Sequence, residues 1–119
     1  MENRVFDVAV FGGGVIGASI FNALVKSGYD AVLIEKGTDV AVGTSKANSA
    51  IIHAGFDAKP GTNKAKFNVE GNRMYPDVCA RLGVPLKKIG SYVIGNNENA
   101  VKELIERGKQ NGVNDLVYK

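Results

Sequence analysis

The stretch Gly12-Gly13-Gly14-Val15-Ile16-Gly17 constrains this chain more than any other, because of what stands on either side of it. Before it, Val5 to Phe11 is almost continuously apolar, broken only by Asp7. Such a run predicts a strand covered on both faces, as in a parallel sheet. After it, Val15 to Lys26 predicts a helix with Ile16, Ile20, Ala23 and Leu24 on one side. Ser27-Gly28-Tyr29-Asp30 ends that helix, and Gly28 suits the left-handed position beyond it. Ala31 to Ile34 is a second short apolar strand, closed by Glu35. Strand, helix and strand take roughly 30 residues, the size of a parallel crossover. The fold class is therefore α/β, built on a parallel sheet.

A glycine fingerprint between a strand and a helix has a physical reading. Gly12 permits the tight turn, Gly14 lets the backbone approach a pyrophosphate, and Gly17 lets helix and strand pack closely. The helix end at Val15 and Ile16 offers unpaired N–H groups and a partial positive charge. Glu35 follows Gly17 at about the 20-residue interval such sites use. A carboxylate there accepts hydrogen bonds from both ribose hydroxyls and repels a 2′-phosphate, which disfavours NADP. The reading is a dinucleotide-binding unit. The plain alternative, a glycine-rich turn with a solvated Glu, leaves the strand, helix, second strand and acid as coincidences.

Composition narrows the remaining classes. At 119 residues the chain can build one domain with a core. Its net charge is +3, with 15 Lys and Arg scattered among 12 acids and no basic run, so nucleic-acid binding gains no support. Cys79 is the only cysteine, which excludes an internal disulfide or a cysteine metal cluster and fits a reducing, cytoplasmic compartment. Met1 to Asp7 is mixed and charged, without a secretory pattern. Val8 to Val25 carries no charge, but the glycines interrupt it, and Ser19 and Asn22 dot its second half. A buried strand followed by a buried helix explains it better than a membrane span.

Beyond the crossover, Lys36 to Ala50 is polar, small and without period. Loops this long inside a domain are usually functional or disordered. Ile51 and Ile52 start a short buried strand, and His53 to Gly61 is irregular, with Pro60-Gly61 as a turn. Thr62 to Leu82 reads as a helix capped by Thr62, with Phe67, Gly71, Met74, Tyr75, Val78 and Leu82 on one apolar face. Pro76 should kink or divide it. Cys79 reads as a small buried thiol, and Lys64 and Lys66 as a solvated face. Gly90 to Ile94 predicts a strand, Asn99 to Gln110 a helix stopped by Gly112, and Val113 to Lys119 the start of another strand.

Two blocks of sequence carry a family resemblance. One is Asp7-Val8-Ala9-Val10-Phe11-Gly12-Gly13-Gly14-Val15-Ile16-Gly17, followed later by Glu35-Lys36. The other, more specific, is Gly43-Thr44-Ser45-Lys46-Ala47-Asn48-Ser49-Ala50-Ile51-Ile52-His53-Ala54-Gly55. Together they resemble the D-amino-acid oxidase superfamily of FAD-dependent oxidoreductases, on the branch of FAD-linked glycerol-3-phosphate dehydrogenases and L-2-hydroxyglutarate oxidases. Lys59-Pro60-Gly61-Thr62 and Gly90-Ser91-Tyr92-Val93-Ile94-Gly95 are similar to it too.

The resemblance implies FAD as cofactor on a Rossmann-like fold, with Gly12, Gly14, Val15, Ile16, Gly17, Glu35 and Lys36 around its nucleotide half. It implies that Thr44 and Ser45 bond phosphate oxygens and that Asn48 and Ser49 lie near the ribityl chain or the flavin ring. Small hydroxyl residues and exposed backbone N–H groups do suit an anion. His53, the only histidine, would lie close to the flavin ring. There it would act as a base on a substrate hydroxyl or steady the charge of reduced flavin. A pocket-lining or structural histidine is the alternative.

By the same resemblance, residues 1–88 form the first part of an FAD-binding domain and 89–119 begin a substrate domain that stops short. The expected parent is a flavin-dependent dehydrogenase or oxidase acting on a small hydroxy substrate, glycerol 3-phosphate or a 2-hydroxy acid. Quinone or oxygen would accept the electrons, with peripheral membrane contact for a quinone-linked form. The remainder of a longer chain is the implied partner, and the piece alone would be inactive. Two other readings stay open: an NAD-binding Rossmann domain, and a non-catalytic nucleotide-binding module.

Overall fold

The structure, a computed structural model, describes residues 4–119. The start at Met1–Asn3, part of the segment read above as lacking a secretory pattern, lies outside them. The chain divides into two compact units, Met1–Ile51 and Ile52–Lys119.

The first unit is strand, helix, strand: β1 (Val8–Phe11), α1 (Val15–Lys26) and β2 (Ala31–Ile34). The strands pair in parallel, Val8 opposite Ala31 through Phe11 opposite Ile34. This is the expected α/β crossover. Asp7, which breaks the apolar run, has a structural use. Its N–H donates to the Asp30 carbonyl at 2.8 Å, and its carboxylate accepts the Asp30 N–H at 2.9 Å. The two residues thus extend the pairing by one step ahead of β1. An Arg4–Asp30 ion pair of 3.1 Å lies beside them, too exposed to contribute much. Gly28 closes α1 with φ +88, the left-handed conformation its position asked for.

Burial in this unit departs from the sequence reading. A strand covered on both faces and a buried helix were expected; α1 has no buried residue, and Ile16 and Phe11 are 73% and 79% exposed. The cause is geometric. A parallel sheet needs helices on both faces. Among the described residues α1 alone packs on the strands, so one layer of cover is present.

The second unit holds α2 (Asn63–Leu82) and α3 (Glu98–Gln110). Both start on the residue types that cap helices. The Thr62 hydroxyl accepts the Ala65 N–H, and the Asn97 carbonyl oxygen accepts the Ala100 N–H at 3.1 Å. Thr62→Ala should lower the stability of this unit by about 1 kcal/mol, read as a shift of the urea midpoint followed by helical circular dichroism.

Pro76 does not divide α2, which runs unbroken from Asn63 to Leu82. A proline removes one backbone donor, and the turns on either side carry the helix past it. The buried face also differs from the expected one. Ala65, Val69 and Cys79 are buried, while Phe67, Met74, Tyr75 and Leu82 are exposed. Small side chains face inward because the neighbouring backbone comes close: a Cβ on Gly55 would stand 2.6 Å from Val69 Cγ2. Cys79 is buried, as read.

No strand forms at Ile51–Ile52, at Gly90–Ile94 or over Val113–Lys119, all expected from apolar runs. Tyr92 and Ile94 are 90% and 94% exposed. A strand needs a neighbour to pair its N–H and C=O groups, and these segments find none among the described residues. Val113 is instead buried as a single residue, its N–H donating to the Gly108 carbonyl at 2.9 Å beyond the turn at Gly112. Among the described residues no helix is long and apolar enough to cross a membrane.

Candidate functional site

The glycine loop links the end of β1 to the start of α1. Gly12 adds one more bond to the sheet, its N–H donating to the Ile34 carbonyl at 2.8 Å, and then turns the chain with φ +103. Gly17, in the first turns of α1, lies against that turn. A Cβ there would collide with the Gly12 carbonyl oxygen and stand 3.0 Å from the Gly12 carbonyl carbon. The fingerprint positions therefore close on each other as the spacing asked. Gly14 is the N-cap of α1 in an extended conformation and offers no side-chain cap.

That cap comes from elsewhere. Ser45 Oγ accepts the Val15 N–H at 2.8 Å, bringing the 43–50 loop onto the end of α1. A Cβ on Gly14 would stand 3.2 Å from the same oxygen. The hydroxyl satisfies one of the first-turn donors, and the helix end keeps its attraction for anions.

Glu35 forms the second clamp. Its Oε2 accepts the Gly13 N–H at 2.6 Å and its Oε1 the Gly37 N–H at 2.8 Å. These bonds hold its carboxyl below the ordinary value of 4.5, the Gly13 N–H being the largest cause and the Gly37 N–H the next. The sign follows directly. A lowered folded value means that the stability linked to this carboxylate is complete above the ordinary carboxylate range. It is lost as pH falls through the lowered value. Glu35→Gln should flatten the acid limb of a stability profile taken from about pH 3 to pH 6. Urea midpoints at each pH measure it, and an unchanged limb would contradict the two bonds.

Three residues at this site escaped the sequence reading. Gly13 is buried, and a Cβ on it would stand 2.9 Å from Val40 Cγ1 and 3.2 Å from Glu35 Oε2. Ala41 donates its N–H to the Gly13 carbonyl at 2.9 Å from a left-handed conformation, φ 60. Val40 and Ala41 thus lean on the middle glycine. Their signal was available: Val40-Ala41-Val42 is an apolar trio inside an otherwise polar loop.

The rest of the 43–50 loop is held by its own groups. The Gly43 carbonyl accepts the N–H groups of Lys46 and Ala47 at 3.0 and 3.2 Å. The Asn48 amide donates to the carbonyls of Thr44 and Ser45 at 3.3 and 2.9 Å and accepts the Ala50 N–H at 2.9 Å. Thr44 and Ser49 are exposed on this loop, and Lys36 is exposed beyond Glu35. The first unit therefore gathers Gly12, Gly14, Val15, Gly17, Glu35 and Ser45 around one turn, with Ile16 exposed on the first turn of the helix. His53 belongs to the second unit and is exposed. Lys64 and Lys66 are exposed there too.

The donor set suits a diphosphate joined to a ribose. A helix end, a hydroxyl and glycine backbone can meet the anion. Each Glu35 oxygen accepts one N–H and keeps lone pairs for ribose hydroxyls. Residues 7–118 match the family described as FAD dependent oxidoreductase, and the chain belongs to that family. Its cofactor class is accordingly FAD. Among curated proteins the chain is similar to a glycerol 3-phosphate dehydrogenase of Caloramator mitchellensis, 51% identical over 115 residues, covering 94% of this chain and 24% of that protein. It is similar to a glycerol 3-phosphate oxidase of Mycoplasma pneumoniae, 38% identical over 95% of this chain and 29% of that protein. It is also similar to a mitochondrial L-2-hydroxyglutarate dehydrogenase of Pongo abelii, 33% identical over 93% of this chain and 28% of that protein. The chain thus spans about a quarter of the length of the relatives it matches.

Proposed function

We propose that this chain is the FAD-holding portion of a flavin-dependent dehydrogenase or oxidase that oxidises glycerol 3-phosphate or a 2-hydroxy acid, on a Rossmann-like fold. One observation carries the reading: Glu35 and Ser45 converge on the N–H groups of Gly13 and Val15, flanking Gly14. Gly12, Gly14, Val15, Ile16 and Gly17 hold the diphosphate, with Thr44 and Ser45 on its oxygens. Glu35 holds the ribose, and Lys36 stands beside it. Asn48 and Ser49 shape the loop toward the ribityl chain, and His53 is the base for the substrate hydroxyl. Bound there, FAD supplies the hydride acceptor, while the protein binds and orients.

The substrate class rests on what the relatives are named for. Residues 1–88 serve the nucleotide and 89–119 begin the substrate portion, with further chain completing both. Quinone or oxygen takes the electrons, in a cytoplasmic setting or at a membrane surface. The protein purified from its native source should show two visible flavin bands that survive gel filtration, with FAD released on denaturation. A colourless protein that stays colourless when FAD is added, and prefers NAD in competition, overturns the proposal. Flavin without oxidation of either substrate in an acceptor screen overturns the substrate class alone.

A further inference from the structure

The segment from His53 to Ala58 forms neither helix nor strand, yet four of its carbonyls are held by side chains. Asn72, on α2, donates its amide to the His53 carbonyl at 3.1 Å. Asn111, the C-cap of α3, gives both protons of its amide nitrogen, one to the Gly55 carbonyl and one to the Ala58 carbonyl, each at 2.8 Å. Arg107, one turn earlier on α3, donates to the Asp57 carbonyl at 3.3 Å. The backbone itself comes close to both helices. Gly55 lies on Val69 with φ +93, and a Cβ on Gly108 would stand 3.0 Å from Phe56 Cβ. Two helices thus do for this segment what a neighbouring strand does in a sheet: they supply donors for its carbonyls and fix its course.

Asn111 is the centre of this arrangement. A C-cap residue has its backbone N–H engaged by the helix, here with the carbonyls of Arg107 and Gly108, so its side chain is free to reach outward. Both of its amide donors are used, at part-buried positions, across more than 50 residues of sequence. Asn at a C-cap usually answers to local turn geometry. This one answers to the segment opposite. We infer that Asn111, assisted by Asn72, is a positioning residue for His53: it holds the backbone that carries the imidazole in one conformation. The functional part of this inference rests on the reading of His53 as the base; the positional part does not.

The test uses the lone histidine of this sequence, whose imidazole Cε1–H signal no other histidine of the sequence can overlap. Asn111→Asp keeps the size of the side chain but sets a carboxylate oxygen against two carbonyls. Asn72→Ala removes the contact to His53 alone. Asn97→Ala removes an ordinary cap from the same helix and serves as the control. Carbon-13 shifts of the His53, Gly55 and Ala58 carbonyls are read alongside the imidazole signal. The expected result is that Asn111→Asp moves the Gly55 and Ala58 carbonyls and broadens or splits the imidazole signal. Asn72→Ala should move the His53 carbonyl and the imidazole signal, and Asn97→Ala should move none of these. If Asn111→Asp does not fold, Asn72→Ala decides. An imidazole signal unchanged in the variants that fold, or altered equally by Asn97→Ala, overturns the inference. Because no flavin is needed, a failure of the flavoprotein reading shows separately, in the absorption spectrum.

Discussion

Gly17→Ala should unfold the strand–helix turn of the first unit and remove its capacity for flavin. The added methyl meets the Gly12 carbonyl oxygen, part of a backbone already held in place by the bond from the Gly12 N–H to the Ile34 carbonyl at the end of the sheet. A flexible side chain could swing aside, but here α1 must slide off β1 or Gly12 must leave its turn. Overpacking commonly costs about 1–3 kcal/mol where side chains can adjust, and a backbone collision belongs at or above the top of that range. Small domains have about 5–15 kcal/mol of stability in all. Urea unfolding should show a much lower midpoint for Gly17→Ala, and the variant should come off gel filtration without flavin. A variant with the parent's midpoint and the parent's flavin content would mean that the turn is not packed as described. Gly12→Ala is the informative partner, because nothing stands within 4 Å of its added Cβ and the cost there is conformational, from φ +103.

Gly55→Ala should be nearly as damaging in the second unit, for two reasons that add. Its φ of +93 is one that side chains rarely adopt, and strained conformations of this kind cost about 1–3 kcal/mol. The new Cβ also comes within 2.6 Å of Val69 Cγ2 and 3.3 Å of the Val69 N on α2. Val69 is buried and has little room to turn. The pair Gly55→Ala and Gly55→Ala/Val69→Ala separates the two terms. Trimming Val69 removes the Cγ2 collision but leaves the close backbone N and the strain, so measured against Val69→Ala alone the double variant should recover part of the loss in thermal midpoint. Recovery of none of it would assign the whole effect to φ and the close backbone N.

How far these features could be read in advance depends on whether a partner was needed. The crossover from Val8 to Ile34 was legible because its signals are local: an apolar run, three spaced glycines, a second run. Helix ends at Thr62 and at Gly28 were legible for the same reason. Gly90–Ile94 misled because its composition suits a strand but pairing takes a second segment. The face of α2 misled because bulky apolar residues at helical spacing outweigh small ones in any pattern. In the fold, Ala65, Val69 and Cys79 face inward, where the backbone at Gly55 approaches. At the site, the glycines and Glu35 were visible from spacing. The contacts of Ser45 with Val15 and of Val40 with Gly13 join positions about 30 residues apart, a separation that leaves no local signal of the contact in the sequence.

Cys79 gives the second unit a built-in clock. A thiol reagent too bulky to enter can reach the buried Cys79 sulfur only when α2 lifts from its neighbours. When reclosing outruns labelling, the labelling rate measures the fraction of molecules in which it is open, with no denaturant and no engineered probe. A ligand that tightens the unit should slow the clock.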